Sequence, residues 1–404
     1  MKRRILFVDD EPMVIAGLQR MLRPMREQWE MEFANSGSDA LGMMEQKAFD
    51  LIVSDMRMPA MNGAQLLKEV ARRHPQTIRF ILSGQADQEL ILQCVGTAHQ
   101  FLSKPCEPET LKTAVGRTFA VDNLLKCEAL KKVAAQLTTI PSLPSLYNKI
   151  MEQLAAPEPS IENVGQTIAR DPGMTAKVLQ LVNSAFFGLR RQMASPTEAA
   201  MLLGLEMIKT LVMWIHVFSN YQSVPVPGFS IERLSNHCLA TGLLAKQIAR
   251  AEGADSRMQE EAMTAGLLHD IGRLVLAANQ PARYIEVQAL AGQKRIAFWQ
   301  AERELLGTTH AEIGAYLLGL WGLPFDIVEA VAMHHCPQSF GRNTFSPLTA
   351  VHAANVLQHQ AQPDADGLLA AELDANYLAQ IGLADRVESW RRLLAPTEEA
   401  ARQA

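Results

Sequence analysis

The sequence predicts an α/β unit built on a five-stranded parallel sheet, followed by an all-helical unit. Over residues 1 to about 120, short β-rich runs alternate with helical patterns. Alternating βα units build a parallel sheet with helices on both faces. Beyond Pro141 the strand pattern stops, and helical segments follow one another to about Leu394, punctuated by Pro and Gly. The length of 404 residues is that of two or three domains, at the usual size of about 150 residues each.

The β-rich runs are Ile5–Val8, Met31–Ala34, Leu51–Ser54, Ile78–Leu82 and Gln100–Ser103, with helical patterns such as Met13–Leu22 and Ala64–Arg73 between them. These set the first domain at 1–122. From Glu107 to Leu137 the text is helical, with Leu111, Val115, Leu124, Leu125, Leu130, Val133 and Leu137 as apolar positions. It reads either as a last helix running into a connecting helix over 123–139 or as two helices and a loop. A helical domain over 140–395 follows, then a frayed tail over 396–404. Asp171-Pro172 reads as a helix start, since Pro suits the first helical position. Asn183 and Ser184 are polar residues in an apolar helix and read as partners for buried groups.

Composition excludes several classes. Hydrophobic residues make up 48% and charged residues 20%, the balance of a soluble globular protein. A net charge of -5, without an arginine-rich arm, zinc finger or helix-turn-helix pattern, argues against direct nucleic-acid binding. Cys94, Cys106, Cys127, Cys238 and Cys336 are scattered, odd in number and without a CxxC pair, which fits a reducing compartment. The opening MKRRILFVDDE has too short an apolar run for a signal peptide. Leu202–Phe218 is greasy but contains Glu206, Lys209 and His216, so it reads as a buried helix and not a membrane span. A cytoplasmic protein without membrane contact is expected.

In an open parallel sheet, ligands sit outside the carboxyl ends of the strands. Asp9 and Asp10 follow the first predicted strand, Asp55 the third, Ser83 the fourth and Lys104 the fifth. Carboxylates brought together repel one another, and a hard divalent cation such as Mg²⁺ relieves that repulsion. The same cation can neutralise phosphoryl oxygens, while a lysine pairs with the phosphoryl group and a serine hydroxyl hydrogen-bonds it. These residues resemble the response-regulator receiver family over roughly the first 120 positions, whose fold is flavodoxin-like. The resemblance implies that Asp55 is the phospho-acceptor and that Asp9, Asp10, Asp55 and the backbone carbonyl of Arg57 hold Mg²⁺. It makes Ser83, Phe101 and Lys104 the phosphoryl switch, with Phe101 swinging inward. A histidine kinase or phosphotransfer protein is the implied donor.

The phrases LTTIPSLPSLYNKI, DPGMTAKVL and NSAFFG resemble the HDOD domain, a helical relative of the HD phosphohydrolases. Further on, successive segments place His237, His269 with Asp270, His310, His334 with His335, and Asn355 on apolar stripes. Imidazole suits first-row divalent metals, and a carboxylate adds affinity for hard ones. The array resembles the metal-dependent HD superfamily, which implies an iron, manganese or other divalent site at these seven residues. Two departures weigh against catalysis. Asn355 stands where a carboxylate is expected, leaving Asp270 as the only anionic ligand that can be named. The text HHCPQSFGRN also has Cys336 where HD-GYP phosphodiesterases carry Glu, and lacks their Gly-Tyr-Pro loop. The expectation is a phosphorelay response regulator whose HDOD output works mainly through contact with a downstream protein. The alternative is a phosphorylation-regulated, metal-dependent phosphohydrolase acting on a cyclic dinucleotide. Dimerisation through the last receiver helices or the connecting helix is a further expectation.

Overall fold

The computed structural model describes residues 2–84, 90, 94, 97–122, 144–184, 189, 192–218, 225–340, 343–361 and 372–394. The expected connecting segment 123–139 and tail 396–404, like Cys127, lie outside these residues.

Strands β1 (Arg3–Val8), β2 (Trp29–Ala34), β3 (Leu51–Asp55), β4 (Ile78–Ser83) and β5 (Gln100–Ser103) form one sheet in the order β2-β1-β3-β4-β5. Every neighbouring pair is parallel. The observed strands extend the apolar runs by a residue or two at their ends, as expected where pairing outlasts the hydrophobic pattern. β3 and β4 are buried along their whole length and β2, at the edge, is partly exposed. A strand covered by helices on both faces needs apolar residues at every position, and β3 supplies Leu51, Ile52 and Val53. Helices α1 (Pro12–Met21), α2 (Gly37–Gln46), α3 (Gly63–Arg73) and α4 (Pro108–Asp122) complete the described part of this domain. α3 begins with a reciprocal cap in which Asn62 accepts from the Gln65 backbone and Gln65 accepts from that of Asn62.

The second domain is helical among the described residues. It runs through α5 (Pro144–Leu154), α6 (Ile161–Ile168), α7 (Pro172–Val182), α8 (Pro196–Phe218), α9 (Ile231–Ala251), α10 (Ser256–Leu268), α11 (Ile271–Asn279) and α12 (Pro281–Lys294). It continues through α13 (Phe298–Leu306), α14 (His310–Leu320), α15 (Phe325–Met333), α16 (Pro347–Ala361), α17 (Ala375–Gln380) and α18 (Val387–Arg391). α7 starts as the sequence implies, with Pro172 in the first turn and the Asp171 carboxylate accepting from Met174 N at 2.8 Å. Asn183 ties the end of α7 to the loop ahead of α8 through paired bonds with the Met193 backbone.

The greasy stretch differs from the single buried helix expected. α8 is broken at Gly204, which has φ 77°, and Met201 and Leu202 are exposed while Ile208, Leu211 and Val212 are buried. No described helix is long and apolar enough to cross a membrane.

Candidate functional site

The first site lies at the carboxyl ends of β1, β3, β4 and β5. Candidate ligand atoms of Asp9, Asp10 and Asp55 all lie within 4.8 Å of one another. Asp9 and Asp55 are buried, Asp10 less so. Lys104 reaches both, with Nζ 2.8 Å from Asp9 Oδ2 and 2.5 Å from Asp55 Oδ1. The Arg57 backbone N–H donates to Asp55 Oδ2 at 3.1 Å and the Glu11 N–H to Asp9 Oδ1 at 3.0 Å. Burial raises the pKa of Asp55 above the ordinary carboxylate range; Lys104 opposes the rise and Asp9 adds to it. Burial works against the Lys104 ammonium, but its hydrogen bonds to Asp55 and Asp9 outweigh it and hold its pKa above the usual value.

Ser83 Oγ is fully buried and has no hydrogen-bond partner among the described residues. A buried hydroxyl without a partner costs free energy, so its position beside the Asp55 strand marks it as a group awaiting an acceptor. Phe101, on β5 and separated from the Asp55 strand by β4, is fully buried. Gly63 lies against the Asp55 carbonyl, where a Cβ would come within 2.2 Å of the oxygen. The start of α3 therefore fixes the backbone of the candidate acceptor. The three oxygen-bearing side chains fit a small hard cation, with Lys104 supplying positive charge opposite.

The second site is built where α9, α14, α15 and α16 meet the α10–α11 junction. The stripe reading needs correction for four of its members. His269 sits at the C-terminal cap position of α10, Asp270 at the N-terminal cap position of α11, His334 at the C-terminal cap position of α15, and His335 just beyond it. They sit at helix junctions, where a side chain can point across the bundle without displacing an apolar neighbour. Candidate ligand atoms form two groups, each with members within 4.8 Å of one another: His237, His269 and Asp270; and His310, His334 and His335. Asp270 joins them, with Oδ1 3.0 Å from His310 Nε2, 3.7 Å from His269 Nε2 and 3.9 Å from His334 Nε2.

Hydrogen bonds behind the rings set their tautomers. His269 Nδ1 donates to the Gly266 carbonyl at 2.6 Å and His334 Nδ1 to the Val331 carbonyl at 2.8 Å. Each assignment leaves a lone pair on Nε2, and both Nε2 atoms are buried with no hydrogen-bond partner. Imidazoles oriented in this way are suited to metal ligation. Burial lowers the His269 pKa to about 4 and, helped by neighbouring histidines, holds those of His334 and His335 well below normal. A neutral imidazole is the form a metal needs. The donor set and its orphaned nitrogens therefore fit a first-row divalent cation.

Two residues that sequence reasoning passed over complete the electrostatics. Glu302, on α13, is fully buried and its Oε2 accepts from the His310 backbone N–H at 2.9 Å and lies 2.6 Å from His310 Nδ1. Burial disfavours the His310 imidazolium, but Glu302 and Asp270 on either side raise its pKa to about 9. Arg273 Nη1 donates to Asp270 Oδ2 at 3.1 Å. Asp270 is thus not the sole carboxylate near the cluster. The run QAERELL holds a second glutamate, Glu304, and nothing in its pattern singles out Glu302. Asn355 Oδ1 accepts from His237 Nε2 at 3.0 Å, so these two satisfy each other. Gly272, in the first turn of α11, allows the approach of α14, since a Cβ there would come within 2.0 Å of the His310 carbonyl.

Comparison with known proteins agrees with both halves. Residues 5–116 match the response regulator receiver domain and residues 140–337 match the HDOD domain. The chain joins a receiver domain to an HDOD domain. An uncharacterized protein of Treponema pallidum is 27% identical to it over 203 residues, 50% of this chain and 39% of that protein. The hydrogenase transcriptional regulatory protein HoxA of Cupriavidus necator is 29% identical over 171 residues, 42% of this chain and 34% of that protein. The chain therefore spans 39% or less of the length of these curated relatives. Among solved structures, the MmoQ response regulator of Methylococcus capsulatus str. Bath superposes with a TM-score of 0.50 at 24% identity, covering 64% of this chain and 98% of that one. That likeness shows a shared fold. The receiver–HDOD order is the architecture of a response regulator with an HDOD output.

Proposed function

We propose that this chain is a phosphorylation-switched regulator in which Asp55 accepts a phosphoryl group from a histidine kinase or phosphotransfer protein. The observation that carries the reading is the placement of Lys104 on both Asp9 and Asp55, with the unpartnered Ser83 hydroxyl on the adjacent strand. A carboxylate oxygen of Asp55 attacks phosphorus as the donor's P–N bond breaks, and the phosphoryl group passes to the aspartate. Asp9, Asp10, Asp55 and the Arg57 carbonyl would hold Mg²⁺, which neutralises charge on the transferring group. The new group adds roughly -1.5 to -2 charge, by analogy with other phospho-residues. Lys104 then pairs with it and Ser83 Oγ gains its missing partner. Phe101, next to Leu102 on the same strand, carries the shift into β5. The HDOD domain passes the signal on by contact with a downstream protein, and the protein works in the cytoplasm. Part of the surface expected for dimerisation is taken up, because α4 packs on α14 of the same chain, and light scattering with and without a phosphoryl analogue tests for a dimer.

The test is phosphorylation of the full chain by acetyl phosphate, read by the gel shift of aspartyl phosphate. Wild type takes up about one group per chain and Asp55→Asn takes up none; equal labelling of the two sinks the assignment.

A second reading concerns the histidine cluster, and the orphaned Nε2 atoms of His269 and His334 favour it. We infer that it binds iron, manganese or a similar divalent cation through His237, His269, Asp270, His310, His334 and His335, with the buried Asn355 hydrogen-bonded to His237. Hydrolysis of a cyclic dinucleotide is less well supported, because Asn355 is spent on His237 and Cys336 replaces a glutamate. Metal content of wild type against the His269→Ala/Asp270→Ala variant decides the matter: about one ion or more per chain, lost in the variant, is expected, and no ion in wild type overturns it.

A further inference from the structure

The receiver and the HDOD domain meet at one end of the helix whose other end carries the histidine cluster. Gln100, the first residue of β5, donates from Nε2 to the Leu320 carbonyl at 2.8 Å. Leu320 is the last residue of α14 and His310 its first. Gly322, just beyond, is so close to the receiver that a Cβ would come within 2.6 Å of Gln100 Nε2. A second bridge runs beside the first. Gln180 on α7 donates to the Ala98 carbonyl of the receiver at 3.1 Å. Its Oε1 accepts from Lys177 Nζ at 3.3 Å, and that ammonium lies 4.1 Å from the centre of the Trp321 ring, at the capping position of α14.

Between its ends α14 has little freedom. All its residues but Glu312 are buried, and its first turn is pressed against α11 at Gly272. A close-packed helix of 11 residues, about 16.5 Å long at 1.5 Å per residue, shifts as a body more readily than it bends. On the receiver side, β5 leads directly from Gln100 through Phe101 to Lys104, the residue that holds Asp55. A change at Asp55 and a change at His310 are thus felt at two ends of one continuous set of contacts.

We propose that the state of Asp55 sets the affinity of the histidine cluster for a divalent cation, through β5, Gln100 and the α14 helix. The inference rests on both readings above. By linkage the cation must favour one state of the receiver to the same degree. Gln100 is a positioning residue in this scheme and touches neither ligand.

The experiment uses the full chain with Mg²⁺ saturating the receiver. Co²⁺ is titrated in and followed by the visible bands of imidazole-bound cobalt, with and without beryllofluoride as the phosphoryl analogue. Exchange of the backbone amides at 320–323 is measured in parallel without cobalt. The expected result is a change of about 5-fold or more in cobalt affinity, the lower end of ordinary allosteric couplings, with altered exchange at 320–323. Both responses should vanish in Gln100→Ala, which still binds cobalt and beryllofluoride. Equal cobalt affinity in the two states of wild type overturns the proposal, as does full coupling in Gln100→Ala. Absence of cobalt bands overturns it together with the metal reading and leaves Asp55 standing. Absence of a beryllofluoride adduct by fluorine NMR overturns it together with the Asp55 reading and leaves the cluster standing.

Discussion

Single atoms decide what each site can do. At Gly63 the space for a Cβ is already filled by the Asp55 carbonyl. Gly63→Ala is expected to destabilise the receiver by about 1–3 kcal/mol, the usual cost of overpacking, and to slow labelling of Asp55 at least tenfold. Urea denaturation and acetyl-phosphate kinetics check the two effects, and normal labelling in a destabilised variant would detach α3 from acceptor positioning. Lys177 illustrates the cost of burying charge. Burial lowers its pKa to about 7, against roughly 10.4 in an unfolded chain. Between those values the unfolded chain binds more protons than the folded one, so stability rises with pH from about 7 towards 10 and the full penalty is present below 7. Urea melts at pH 7 and pH 9 should show this rise, and Lys177→Met should flatten it. The sequence named Asp9, Asp10, Asp55, Ser83 and Lys104 because strand ends are regular places. It did not reveal Glu302, whose role depends on a histidine that only folding brings to it.

Among the elements, local signals were legible where they are chemical. The Asp171-Pro172 step announces α7, and the carboxylate does cap the helix, with all of the helix buried behind it. Asp171→Ala is expected to cost about 1–2 kcal/mol, as for other lost caps, while Asp171→Asn retains most of the stability. Thermal denaturation of the three proteins checks this, and an alanine variant as stable as wild type would show that the cap is redundant. Junctions were harder to read. His269, Asp270 and His334 interrupt apolar runs and so read as stripe positions, yet each closes or opens a helix. Periodicity reports which face of a helix is buried, and it says little about where one helix stops and the next begins within a continuous apolar run. The break at Gly204 was missed for the same reason.

Across the whole molecule, the two domains are tied by main-chain carbonyls more than by conspicuous side-chain pairs. Gln100 donates to the Leu320 carbonyl and Gln180 to that of Ala98. Buried amides of this kind stabilise little in water but are costly to strand without partners. The full chain is therefore expected to unfold in one calorimetric transition, and the Gln100→Ala/Gln180→Ala variant in two. Two transitions already in wild type would show that the interface does not couple the domains. By itself the sequence determined the parallel sheet, the helical second half and the identity of the acidic and imidazole residues that carry chemistry, because these follow from periodicity and from residue type at strand ends. The tertiary structure alone decided that Glu302 backs His310, that Asn355 is engaged by His237, and that β5 is joined to the helix leading to the histidine cluster. Those facts depend on contacts between residues far apart in the chain, set by how closely helices approach and which carbonyls they leave exposed to a neighbour, and neither quantity is written in any local pattern.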